Sequence, residues 1–123
     1  MSEAGMVGRG PKQLAELRDV FGFLDEVRLR PGMWIRASSL QHLDSVLSGY
    51  RVALEVHGIE EEFDFWNLGP FTEWLWQRLG RSSSLGWAAE IEREAVDTET
   101  SPVELFFAFL DEYRVHRAMS QDR

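Results

Sequence analysis

The segment from Ser101 to Tyr113 restricts the fold more than any other. Ser101-Pro102-Val103-Glu104 supplies an N-cap hydroxyl, a proline at the first helical position and a glutamate at the third. That is the pattern of a capped helix start. Behind it Val103, Phe106, Phe107, Leu110 and Tyr113 recur at three-and-four spacing and share one face, while Leu105, Ala108 and Phe109 nearly close the apolar ring. A helix apolar on most sides has no face to give to water. It is either the centre of a fold or the seat of a partner.

The other elements read as helices to be arranged around it. Leu14, Leu17, Phe21 and Leu24, with Val20 and Val27 beside them, predict an amphipathic helix from Pro11 to about Leu29. Arg28 and Arg30 suit its C-terminal dipole, and Pro31 ends it by moving Arg30 out of helical angles. Gly32 then turns the chain, and Met33, Trp34 and Ile35 are expected to cross the core as one extended step. Ser38 or Ser39 is the expected cap of a second helix carrying Leu40, Leu43, Leu47, Tyr50, Leu54 and His57, stopped by Gly58. Gly49 within it suggests a close helix crossing. Residues 60–66 are acidic and then aromatic, either a helix start or a loop. Pro70 opens a third helix through Leu79, ended by Gly80, and Ser84 is the expected cap of a fourth from Leu85 to about Val96. The expectation is an all-α single domain of about five helices over residues 11–119, with flexible tails at 1–10 and 120–123.

The 123 residues are 44% hydrophobic and include 5 Trp and 8 Phe, enough to build a core around rings. There is no cysteine, hence no disulfide framework and no thiolate metal site. Residues 1–10 lack an apolar leader segment and no run reaches membrane-spanning length, so the expected address is the cytoplasm, with no membrane contact. A net charge of −8 argues against nucleic acid, which needs a basic face, and favours a basic protein partner.

Catalytic and metal constellations are missing from the sequence. No Gly-x-Ser-x-Gly elbow occurs, and His42, His57 and His116 are far apart with no His-Glu-x-x-His. Asp25-Glu26 and Asp111-Glu112 are helix neighbours that point about 100° apart, so they read as solvated faces rather than shared carboxylate sites. The expectation is a protein without catalytic residues, metal or cofactor. Two acidic clusters offer a docking surface instead: Glu60, Glu61, Glu62 and Asp64, and then Glu92, Glu94, Asp97 and Glu99. Trp74 and Trp87 fall on helix stripes, whereas Trp76 lies off its stripe and is the expected interface anchor. Two other readings stay open. One is an aromatic ligand pocket lined by Trp34, Trp66 and Trp87. The other is an accessory subunit that docks by the Phe-rich last helix.

Two resemblances bear on function. Val27-Arg28-Leu29-Arg30-Pro31-Gly32-Met33-Trp34-Ile35 resembles a segment near the start of type II topoisomerase ATPase subunits such as DNA gyrase B. That family implies a catalytic Glu and a magnesium-binding Asn on the next helix, where this chain has Val46, Leu47, Ser48, Gly49 and Tyr50. No Asp-x-Gly-x-Gly follows, so the likeness does not extend to an ATP site. From Phe21 to Tyr113 the chain is also similar to a group of small bacterial proteins without assigned activity. They share the Arg-Pro-Gly-Met-aromatic turn, a helix ending Leu-x-Gly-Tyr (Leu47 to Tyr50), a Gly-Trp-x-x-x-Ile element (Gly86 to Ile91) and a Phe-rich helix closing in Leu-Asp-Glu-Tyr (Leu110 to Tyr113). Some of that group resemble immunity proteins of toxin systems. The resemblance implies neutralisation of a basic toxin and assigns no residue.

Overall fold

Asp19 decides where the first helix begins. Its carboxylate accepts from the Gly22 amide at 2.9 Å, a cap that an aspartate makes more readily than a place in a helix interior. In the computed structural model, which describes residues 11–121, helix α1 therefore runs Val20–Leu29 rather than from Pro11. Leu14, Ala15 and Glu16 form only a single 3-10 turn, and Leu14 is exposed. The expected tail at 1–10 lies outside the described residues, as do residues 122 and 123.

Pro31 acts in a second way that its helix-ending role conceals. It sits at the first position of a one-turn helix α2, Pro31–Trp34, so Met33 and Trp34 are helical instead of extended. Only Ile35 of that step is buried. Ser39 caps α3, Leu40–Val56, by accepting from the His42 amide at 3.1 Å. Gly49 faces open space, with no atom within 4 Å of where a Cβ would stand, so it mediates no close crossing. His57 is exposed at the end of α3 instead of joining its stripe. Residues 59–68 form a loop. Helix α4 spans Pro70–Leu79 and ends on Gly80 in the left-handed region. Helix α5, Trp87–Thr98, begins two residues later than expected, on Gly86 without a side-chain cap. The Ser83 hydroxyl, not Ser84, accepts from the Leu85 amide. Helix α6, Pro102–Gln121, extends past the expected boundary at 119.

The described residues contain no strand, and the fold is all-α. Helix α6 lies against α3, α4 and α5. Its Phe106, Phe107, Phe109, Leu110 and Tyr113 are buried. The alternatives left by its composition resolve toward the centre of the fold, and its phenylalanine faces are filled from within the chain.

Rings connect the layers. Phe71 is the hub, with centroids 5.3 Å from Phe65 and Tyr113 and 5.9 Å from Trp87. Trp87 packs in turn on Phe106 at 5.2 Å. Arginines fasten the helices from outside. Arg28 grips Asp111 with both terminal nitrogens, at 2.8 and 3.0 Å, and lies over the Phe107 ring. Arg78 bonds Glu112 at 2.8 Å and lies over Phe109. Arg114 bonds Asp25 at 3.0 Å and lies over Phe21. A planar guanidinium can fork onto a carboxylate and stack on a ring at once, which an ammonium cannot. That gives a structural reason for a chain whose only lysine is Lys12. Asp25 and Glu26 are not a common solvated face. Glu26 is buried and accepts from the Lys12 amide at 2.9 Å.

Candidate partner-binding face

Each of the two acidic clusters divides between structural fastenings and exposed carboxylates. Glu61 is a fastening. Its carboxylate accepts from the Val20 amide at 2.8 Å, an unsatisfied donor of the first turn of α1, and from the Tyr50 hydroxyl at 2.9 Å. Asp64 is buried beneath the loop, accepting from the Tyr113 hydroxyl and from Arg117 Nε at 3.1 Å. These two bonds engage its Oδ2 atom. Glu62 is exposed and pairs with Arg117 at 3.3 Å. Glu60 is exposed and has no ion pair among the described residues.

The second cluster divides in the same way. Glu92 caps α3 from outside the helix, accepting from the Leu40 amide at 2.8 Å and from Gln41 at 3.1 Å. Glu94 joins Arg81, which also holds the buried Glu90 at 3.0 Å. The Arg81 guanidinium keeps the Glu90 carboxyl below its ordinary range against the opposing effect of burial. Asp97 and Glu99 are exposed. Glu99 stops α5 in the left-handed region, at φ 56°, a position that glycine usually takes. Because Glu92 satisfies a helix-terminal amide, Glu92→Ala is expected to destabilise the fold by about 1 kcal/mol. Chemical denaturation checks this, and an unchanged midpoint would contradict the capping role.

Trp76 is not the exposed ring. It is partly buried and packed against the core. Trp87 is fully buried and donates to the Phe65 carbonyl at 3.1 Å, and Trp34 packs edge-on against Phe23 at 5.1 Å. Trp34, Trp66 and Trp87 therefore do not share a pocket. Trp66 is the one exposed tryptophan, 39% accessible. Its conformation depends on Gly69, where a Cβ would fall 2.7 Å from the indole Cδ1 and 2.9 Å from the Asp64 carbonyl. The Trp66 carbonyl accepts from the Gly69 amide and the Thr72 hydroxyl. The sequence signal for this exposed ring was its place just before the Asn67-Leu68-Gly69-Pro70 turn, where the indole closes over glycine.

Around Trp66 a face takes shape. One cleft of about 410 Å³ runs between α3 and the loop, bordered by Asp44, Val52, Trp66 and Leu68. A second of about 480 Å³ is bordered by Leu54, Ile59, Glu60 and Glu62. Arg51, Glu55 and Phe63 border both. Val52, Ile59 and Leu68 are exposed apolar side chains. The two clefts together carry Asp44, Glu55, Glu60, Glu61 and Glu62 against Arg51 as the only basic residue. Arg51 pairs with Glu55 at 3.3 Å and lies over the Trp66 ring. Burial raises the Asp44 carboxyl above its ordinary range.

Both tyrosines of the chain bond carboxylates, Tyr50 to Glu61 and Tyr113 to Asp64. Burial first, and then the carboxylate, raise both hydroxyls well above the ordinary phenol value of 10.0. The unfolded chain ionises near that value and the folded chain above it. The stabilisation is complete below pH 10 and is lost as pH rises beyond it. In an alkaline titration, phenolate absorbance is expected to appear together with loss of the helical circular dichroism signal. A tyrosine ionising near pH 10 in the folded protein would contradict this.

No family model matches the chain, and no curated protein or solved structure matches it at a significant level.

Proposed function

We propose that this chain is a non-enzymatic binding domain for a basic protein, docking through the outer side of α3 and the 59–68 loop. The observation that carries the reading is the composition of that face. Exposed Val52, Trp66 and Leu68 line one cleft with Asp44 and Glu55, and exposed Ile59 lines the adjoining one with Glu55, Glu60 and Glu62. Protein interfaces combine exposed apolar side chains with charged ones. Carboxylates beside apolar surface speed encounter with a basic surface and disfavour acidic competitors. Glu61, Asp64, Glu92 and Glu94 are taken up by internal bonds, so the docking charge belongs to a smaller set than the acidic sequence suggests.

The finer form of the proposal is an immunity-type role, in which the face masks the basic surface of a toxin. The carboxylates of the two clefts support it. The test is co-expression with a neighbouring gene product, chosen because it is basic and arrests growth when expressed alone. A stoichiometric complex and restored growth are expected. Growth arrest with no complex would overturn the reading.

A further inference from the structure

Phe63 and Trp66 also border a third cleft, of about 610 Å³, between residues 62–66, α4 and the end of α6. Its walls include Trp66 and Trp74, and Glu62, Asp64 and Glu73 contribute three carboxylates against the guanidinium of Arg117 and the imidazole of His116. Arg117 is already engaged, with Nε on Asp64 at 3.1 Å and Nη2 on Glu62 at 3.3 Å. Glu73 is exposed and has no ion pair among the described residues. An anion would meet that carboxylate excess unpaired. A cation would meet Glu73 directly, with aromatic surface beside it.

We propose that this cleft anchors an arginine side chain of the basic partner, its guanidinium at Glu73 and Glu62 and its aliphatic stem along Trp66 and Trp74. This rests on the docking reading above and extends it around the Phe63–Trp66 ridge. Glu62, Phe63 and Trp66 border both this cleft and the docking face, so one partner can occupy the two together. Arginine fits better than lysine because the site pairs carboxylates with rings, and a planar guanidinium serves both. The molecule already uses that combination at Arg51, which pairs with Glu55 and lies 5.4 Å from the Trp66 ring centroid. The volume exceeds one side chain and leaves room for the flanking backbone.

The experiment is an NMR titration of the full chain with acetyl-Leu-Arg-Leu-amide and with the same peptide carrying citrulline. Citrulline keeps the shape and removes the charge. The expected result is chemical-shift change at the Trp66 and Trp74 indole N–H groups, with the citrulline peptide binding about fivefold more weakly. Glu73→Gln, at an exposed site that does not threaten folding, is expected to weaken the arginine peptide about threefold, and Asp97→Asn to leave it unchanged. Equal binding of the citrulline peptide, no effect of Glu73→Gln, or no indole shift would overturn the anchor. Free agmatine binding as tightly as the peptide would also overturn it and indicate a small-molecule site. The two proposals fail separately. A partner protein that binds wild type and Glu73→Gln equally well refutes only the anchor, whereas one that does not bind wild type refutes the docking reading.

Discussion

Replacing Trp87 with alanine is expected to cost about 4 kcal/mol, within the range for emptying a large aromatic site in a packed core. Trp87 is fully buried, packs at a tilt on Phe106 and meets Phe71 edge-on. Its removal opens a void at the ring hub and strips the Phe65 carbonyl of its indole donor. Against a total stability of roughly 5–15 kcal/mol for a domain of this kind, that is a large fraction. The melting temperature should fall by about 15 °C. Trp87→Phe separates the two contributions, since it fills part of the void and still lacks the donor. It is expected to lie between wild type and alanine in a denaturant titration. A Trp87→Ala protein with a near-native midpoint would mean that this hub does not hold the fold.

The second large effect belongs to Asp64. It accepts from Tyr113 and Arg117 while buried between the loop and α6. Asp64→Ala leaves a buried hydroxyl without its acceptor and a half-buried guanidinium without its main partner. The expected loss is about 3 kcal/mol, reduced from the fully buried case because Arg117 keeps some solvent. Tyr113→Phe removes one bond and leaves the ion pair, so it should cost about 1 kcal/mol. In the double variant the costs should fall short of adding, because both act on one carboxylate. The consequence reaches the proposed docking face, because the Asp64 side chain and the Trp87 indole hold residues 64 and 65, just before Trp66. Intrinsic fluorescence of Trp66 should shift toward the solvent-exposed value in Asp64→Ala. Additive costs with unchanged fluorescence would contradict the anchoring of the loop.

Local chemistry explains what could be read without the structure. The second, third and last of the expected helices are set by residues within a few positions of their ends. Ser39 and Gly58 bracket one, Pro70 and Gly80 another, and Ser101 with Pro102 starts the last. The start of α1 differs from the expected Pro11 because the apolar spacing of Leu14 and Leu17 imitates a helix that the Asp19 cap interrupts. The acidic clusters depend on distant partners. Glu61 bonds Val20, Asp64 bonds Arg117 and Glu92 bonds Leu40, at sequence separations of 41, 53 and 52 residues. Nothing in an acidic run marks which members will find an amide or an arginine that far along the chain. The same holds for tryptophan. Trp76 departs from its helix stripe yet packs on the core, while Trp66, held in a loop by Gly69, is exposed.

The division of the acidic residues is therefore the point to test. Isothermal titration with the basic protein that the co-expression test yields, at low and high salt, should compare wild type with two double variants. Glu55→Gln with Glu60→Gln removes charge from the docking face. Asp97→Asn with Glu99→Gln removes equal charge from the end of α5. The expected result is about tenfold weaker binding for the first at low salt, with a smaller difference at high salt, and wild-type affinity for the second. Equal weakening by both pairs, or weakening by the α5 pair alone, would contradict a docking face on α3 and the 59–68 loop.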